Sequence, residues 1–154
     1  MTVSDRIAEL GLTIPAVPAP VAAYVPAVVT GQYVYTAGQL PFVDGTLPVT
    51  GKVGTGRRRG DRCRPGTRRR AERPGCRAVG RRSRSDRVAR VVKVTVFVAS
   101  DPSFTGQPGV ANGASTLVGE VFGDAGVHAR SAVGVAVLPL DAPVEVELVV
   151  ELTS

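Results

Sequence analysis

The sequence predicts an α+β fold in which a largely antiparallel sheet carries helices on one face. The run VVKVTVFV at residues 91–98 is the strongest strand signal, and its apolar residues on both faces predict a central strand covered on both sides. Residues 109–122 then change to a helical period. Two further runs, 131–138 and 144–152, alternate as strands do and are joined by a tight connection. This order of elements, a strand, a helix and then two strands, favours an α+β fold.

The first third of the chain predicts a short helix followed by a hairpin. Residues 4–10 form the helix, with Ser4 as its N-cap. Two β-rich runs, 25–29 and 33–37, are separated by Thr-Gly-Gln at residues 30–32. A turn of this length and composition between β-rich runs predicts a hairpin.

The helix predicted at residues 109–122 has one apolar face. Its apolar residues recur at i, i+4, i+7, i+8 and i+11, the spacing of an amphipathic helix. They are Val110, Ala114, Leu117, Val118 and Val121. We therefore expect this face to pack against the sheet.

Length and composition restrict the class of protein. The 154 residues are enough for one domain, 1–154, with its own core, and 44% apolar but only 5% aromatic residues predict a core of Val, Ala and Leu. No apolar run approaches the ~18 residues of a membrane span, and the N-terminal residues do not resemble a secretory signal. Two cysteines spaced C-x12-C are no zinc site. We expect a cytoplasmic protein without metal or membrane contact.

The positive charge is confined to one segment. Of the 19 Lys and Arg residues, 15 lie at residues 57–90 together with only three of the 13 acidic residues. The net charge is therefore +12 in this window and −6 in the rest of the chain, for a total of +6. The chain is thus an acidic domain with one intensely basic insert.

Residues 56–85 do not fit the rest of the sequence. Arg, Gly and Pro dominate, and the few apolar residues have no period of a strand or helix. Such a stretch buries too little surface to offset its ordering entropy, and a loop of about 30 residues is unusual within a compact domain. Three explanations remain: an insert that binds nucleic acid, a solvated loop without a role, or a compensated pair of frameshifts in a GC-rich gene. Because no aromatic residues are interleaved for base stacking, nucleic acid is not favoured.

Three motifs resemble the RidA/YjgF family, also called L-PSP endoribonuclease or translation-inhibitor-like proteins. They are PVAAYVPAVVTGQYVYTAGQLP at residues 20–41, VVKVTVFVAS at 91–100 and HARSAVGVAVLPLDAPVEVELVVE at 128–151. The helix sequence VANGAS at residues 110–115 is similar to that of a longer subgroup. The resemblance covers residues 4–54 and 86–152; between them the family has an Ala/Leu-rich helix of nearly the same length, which favours the frameshift explanation.

The resemblance implies a chorismate-mutase-like fold assembled as a homotrimer, with sites in the clefts between subunits. It also implies hydrolysis of reactive 2-imino or enamine acids, such as 2-aminoacrylate, to the 2-keto acid and ammonia. The small 2-imino or 2-keto acid is then the ligand, and no metal or organic cofactor is required.

Arg130 and Glu145 are the candidate catalytic residues. The planar guanidinium of Arg130, at the start of a core strand, suits a carboxylate, and the alternative is an ion pair with a C-terminal glutamate. The resemblance implies that Arg130 binds the substrate carboxylate. It also implies that Glu145 orients the attacking water, whereas strand alternation would place this glutamate on a solvated face.

Further residues of the expected cleft follow from the same resemblance. Tyr24 borders the pocket and Gly38 lines it with its backbone; the alternatives are a core aromatic and a turn glycine. Ala132 stands where many active members carry a cysteine, which is compatible with hydrolysis because water attacks the imine. His128, the only histidine, has no acidic or serine partner at a recognisable spacing, so we expect it to be structural.

Two other functions remain open at this point. The alanine at position 132 is compatible with a non-catalytic trimer that binds a keto or imino acid. The older family name and the arginine-rich segment suggest RNA binding or cleavage. Turnover and ligand binding distinguish the first from a deaminase, and replacement of residues 56–85 by a neutral linker tests the second.

Overall fold

The computed structural model of the protein describes residues 2–14, 23–55 and 84–154. The arginine-rich segment, and with it the Ala/Leu-rich helix that the resemblance implies at the same place, lies outside the described residues except for its last two positions. All statements on structure below concern the described residues.

Five strands form one mixed sheet in the order β1-β2-β5-β3-β4. Only β3 and β4 run parallel, and every other neighbouring pair is antiparallel. This confirms the predicted α+β class with a largely antiparallel sheet. The strands are β1 (Ala27–Thr30), β2 (Tyr33–Thr36), β3 (Val88–Ala99), β4 (Ala129–Val135) and β5 (Val144–Leu152).

Although β5 is the middle strand of the five, β3 is an interior strand of the sheet, as its sequence predicts, because it lies between β4 and β5. Its alternate residues Val94, Val96 and Val98 are at most 2% exposed and form the middle of the core. The opposite face of the same strand, with Thr95 and Phe97, is only half-buried. For the described residues, the predicted cover on both sides of β3 is therefore confirmed for one face and only in part for the other.

The hairpin predicted near the N-terminus is confirmed. β1 and β2 pair antiparallel with Thr30 opposite Tyr33, and Gly31 takes a φ of 57° in the turn between them. A positive φ at this position is compatible with glycine because it has no Cβ. β2 also pairs with β5 and joins the hairpin to the sheet.

The first helix, α1 (Val3–Glu9), begins one residue earlier than predicted. Thr2, not Ser4, is its N-cap: the Thr2 hydroxyl accepts from the Asp5 backbone at 3.1 Å, and the Asp5 carboxylate accepts from the Thr2 backbone at 2.9 Å. This reciprocal pair is a capping box. Ser4 instead donates to the Asp86 carboxylate from its backbone at 2.8 Å and its hydroxyl at 3.0 Å, which ties α1 to the residues before β3.

The second helix, α2 (Gln107–Phe122), covers one face of the sheet. Ala111 and Val118 are buried there, and Val110 and Ala114 pack against the same core. The prediction that Leu117 joins this face is wrong, because its side chain is 46% exposed. No helix among the described residues is both long and apolar enough to cross a membrane.

The other face of the sheet exposes apolar and aromatic residues. Tyr33 and Tyr35 pair with Glu151 and Val149, so their side chains lie on the face away from the buried Val150. Tyr33, Tyr35 and, on β4, Val133 are 41%, 49% and 43% exposed. We call this surface the open face.

Candidate functional site

The guanidinium of Arg130 is held by two neutral side chains of α2. Its Nη1 donates to the Asn112 Oδ1 at 2.9 Å and to the Ser115 Oγ at 3.1 Å. Arg130 is the second residue of β4 and lies opposite Val94 of β3, so it projects from the face that α2 covers. Asn112 and Ser115 are three residues apart and therefore share one side of the helix.

No acidic residue among those described forms an ion pair with Arg130. The alternative role that the sequence left open, an ion pair with a C-terminal glutamate, is therefore not observed. Nη1 alone makes hydrogen bonds to the described side chains. The remaining N–H groups and the positive charge are available to an anionic ligand, and a carboxylate matches the guanidinium fork.

Ser115 also contacts His128, which has no serine partner at a recognisable spacing in the sequence. The Ser115 Oγ lies 3.0 Å from the His128 Nε2, and the His128 Nδ1 lies 2.6 Å from the carbonyl oxygen of Gly126. Because a carbonyl oxygen can only accept, Nδ1 carries a proton, and in the tautomer protonated only at Nδ1 the Nε2 atom accepts from the Ser115 hydroxyl. The sequence gives no signal for this contact, because the two residues are 13 apart in sequence and meet only through the packing of α2 on β4.

The backbone of Gly126 lies in close contact with the backbone of α2. The residue is buried, and a Cβ added to it would lie 2.6 Å from the carbonyl oxygen of Val118. Only glycine fits without a shift of backbone, because real Cβ atoms do not approach an oxygen so closely. The Gly126 carbonyl group that orients His128 thus belongs to a residue packed against α2.

Glu145 and Gly38 form a second cluster. The Glu145 side chain occupies the space that a Cβ at position 38 would need. Backbone hydrogen bonds join Gln39 and Val146 in both directions, at 2.9 and 3.0 Å, and hold the two segments together. Burial raises the pKa of the Glu145 carboxyl group, and the nearby charge of Glu147 raises it further.

Arg130 and Glu145 lie on opposite faces of the sheet. Arg130 pairs with Val94 and Glu145 pairs with Phe97, three residues further along the same strand. Side chains alternate between faces along a strand, so partners of Val94 and of Phe97 point in opposite directions. One chain therefore does not bring the two candidate catalytic residues together.

The remaining candidates are Ala132 and Tyr24. Ala132 follows Arg130 on the same face of β4 and packs against the core, opposite Val96. Tyr24 precedes β1 and is 52% exposed. The described residues contain no group of three or more His, Cys, Asp or Glu side chains that could hold a metal ion.

This architecture is that of the chorismate-mutase-like α+β proteins. A family model described as "YjgF/chorismate mutase-like, putative endoribonuclease" matches residues 4–152. The chain belongs to this YjgF family, as its motifs predict.

Individual relatives agree with this assignment. The protein is 42% identical over 159 residues to Protein TCP17 of Trypanosoma cruzi, covering 99% of this chain and 95% of TCP17. The crystal structure of Atu1372, a protein of unknown function from Agrobacterium tumefaciens, superposes with a TM-score of 0.71 at 31% sequence identity. The match covers 98% of this chain and 92% of the Atu1372 chain. A crystal structure from Shewanella oneidensis MR-1 shares the fold, with a TM-score of 0.77 at 23% sequence identity. The match covers 99% of this chain and 100% of the Shewanella chain.

Proposed function

We propose that the protein hydrolyses 2-imino acids, and the enamines in equilibrium with them, to 2-keto acids and ammonia. The observation that carries the proposal is the Arg130 guanidinium, which two neutral side chains hold and no described carboxylate neutralises. A guanidinium whose charge no described carboxylate neutralises can bind the carboxylate group that 2-imino and 2-keto acids share.

The reaction needs one water molecule and a group that exchanges protons with it. Water adds to the C=N carbon while one of its protons passes to the nitrogen, which gives a carbinolamine. The hydroxyl proton of the carbinolamine then moves to the nitrogen as the C–N bond breaks, which releases ammonia and leaves the keto group. Glu145 is the group in this role, because its raised pKa lets the carboxyl group both accept and return a proton closer to neutral pH. No thiol takes part, in keeping with the alanine at position 132.

The complete site is composed from two subunits of a homotrimer. Arg130 and Glu145 lie on opposite faces of one sheet, so one substrate meets both only if they come from different chains. The open face supports such an assembly, because exposed Tyr33, Tyr35 and Val133 gain from burial against another copy. In this arrangement Arg130 binds the carboxylate while Gly38 and Glu145 of the partner subunit border the reacting carbon, with Tyr24 and Ala132 at the edge of the cleft.

Deaminase turnover of Arg130 variants tests the proposal. An amino-acid oxidase generates the 2-imino acid in situ, and semicarbazide traps whatever imine the protein has not hydrolysed. Arg130→Ala should abolish the acceleration, and Arg130→Lys should retain only a small part because an ammonium lacks the planar fork. Lys52→Ala, which removes an exposed cation elsewhere, is the matched control and should equal wild type.

The result also distinguishes a deaminase from a non-catalytic binder. Unchanged turnover in Arg130→Ala would overturn the proposed site. Binding of 2-ketobutyrate by the wild-type protein without imine turnover would instead support the non-catalytic ligand-binding trimer.

A further inference from the structure

We infer that His128 positions the Arg130 guanidinium through the hydroxyl group of Ser115. The inference rests on the proposed function, in which Arg130 binds the substrate carboxylate. It assigns to Ser115 and His128 the role of positioning residues: they act on the ligand only through Arg130.

The bonds form one chain from a fixed backbone atom to the guanidinium. The Gly126 carbonyl accepts from the His128 Nδ1 at 2.6 Å, the His128 Nε2 accepts from Ser115 at 3.0 Å, and the Ser115 Oγ accepts from the Arg130 Nη1 at 3.1 Å. The backbone of Gly126, where the chain of bonds starts, is packed closely against the backbone of α2.

The tautomer of His128 determines which groups of this chain donate and which accept. In the tautomer whose single proton lies on Nδ1 and bonds to the carbonyl oxygen, Nε2 is an acceptor, so the Ser115 hydroxyl proton points towards it. A free lone pair of Oγ is then turned towards Arg130. Without His128 the hydroxyl could rotate and present its proton to the guanidinium, which would repel it.

Asn112 cannot replace this arrangement. It holds the same Nη1 atom at 2.9 Å, but its side chain is exposed, whereas Ser115 and His128 are partly buried. Two acceptors on one nitrogen restrict rotation of a long side chain that otherwise loses considerable entropy on binding a ligand. Preorganisation of this kind increases affinity without a new ligand contact.

A serine beside a histidine also resembles a nucleophile with its base, but the surroundings do not favour that role. Ser115 lies in the middle of α2, where backbone N–H groups bond within the helix and form no oxyanion hole. Its Oγ already accepts from a guanidinium. A fluorophosphonate probe that labels Ser115 would overturn the positioning role.

The experiment measures 2-ketobutyrate affinity by calorimetry on the full-length protein. Ser115→Ala and His128→Ala should each weaken binding by about 10-fold or more, since each removes support from a charged group. Ser115→Thr and His128→Gln keep the hydroxyl and the donor–acceptor pair and should bind close to wild type. The double Ser115→Ala/His128→Ala variant should lose no more than Ser115→Ala alone, because the chain is already broken.

A second measurement needs no ligand. Nuclear relaxation of the ¹⁵Nε of Arg130 reports how firmly its side chain is held, and Ser115→Ala and His128→Ala should lower its order parameter while the conservative variants preserve it. Additive losses or an unchanged order parameter would overturn the inference.

The two proposals fail separately. If Arg130→Ala binds 2-ketobutyrate as tightly as wild type, the proposed carboxylate site is wrong. If Arg130→Ala loses binding while Ser115→Ala keeps both binding and an ordered guanidinium, only the positioning role is wrong.

Discussion

The Glu145 carboxylate lies directly over Gly38, in the space that any other side chain at position 38 would occupy. We predict that Gly38→Ala displaces this carboxylate and lowers imine turnover between about 10-fold and 100-fold, the cost of a small misplacement of a reacting group. The overlap is with a side chain that can rotate away, so the thermal midpoint should change little. Gly119→Ala, where no atom lies within 4 Å of the new Cβ, is the matched control; full turnover in Gly38→Ala would contradict the role of Glu145.

Subunit mixing tests the composition of the cleft. Arg130→Ala and Glu145→Gln should each be inactive alone, yet co-expression should restore activity because some clefts combine the intact residue of each chain. If the two variants are expressed equally and assemble at random into a cyclic oligomer, about a quarter of the clefts combine an intact Arg130 with an intact Glu145. Turnover should therefore recover to about a quarter of the wild-type value. Absence of any recovery in isolated mixed oligomers would show that each site belongs to one chain.

Glu145→Gln should make the protein more stable at neutral pH. A carboxyl group whose pKa is raised by folding penalises the folded state once it ionises, so stability falls as pH rises from the unfolded pKa through the folded one. The variant should therefore have the higher thermal midpoint at pH 7, and the difference should vanish at pH values below the ordinary glutamate range. Glu147→Gln removes only the weaker cause of the raised Glu145 pKa, the charge of Glu147, and should therefore raise the thermal midpoint less. A Glu145→Gln variant that is less stable at pH 7 would contradict this assignment.

Two glycines near the end of α2 should respond oppositely to alanine. Gly119→Ala should raise the free energy of unfolding by about 0.5–1 kcal/mol, because it lies within the helix and its Cβ meets open space. Gly126→Ala should lower it by at least ~1 kcal/mol, because the Cβ would collide with the Val118 carbonyl oxygen. Chemical denaturation measures both, and equal effects would argue against the close approach that places the Gly126 carbonyl.

The arginine-rich segment, residues 56–85, has a test that needs no structure. The printed chain has a mass of 16.0 kDa. The frameshift explanation predicts that protein isolated from its native cells has a different intact mass, because an Ala/Leu-rich sequence replaces the Arg, Gly and Pro residues of this segment. A mass equal to that of the printed chain would refute the frameshift and leave the inert loop and the nucleic-acid insert.

The elements with a strong local period could be predicted from the sequence. β3, β5 and α2 form near their predicted positions because alternation with period two and recurrence at three and four residues are properties of the chain itself. The hairpin follows likewise from its short glycine-containing turn. Errors occur where local signals compete: Thr2 and Ser4 are both good caps, and the contact of Ser4 with Asp86, 82 residues away, decided between them.

The relationships of the candidate site were decided by tertiary structure alone. Motifs identified Arg130, Glu145 and Gly38, but only the strand register places Arg130 and Glu145 on opposite faces of the sheet. Likewise, only the packing of α2 on β4 brings Ser115 to His128 and Arg130. The physical reason is that hydrophobic period and turn chemistry act over a few residues, whereas register and helix packing depend on contacts between segments far apart in the chain.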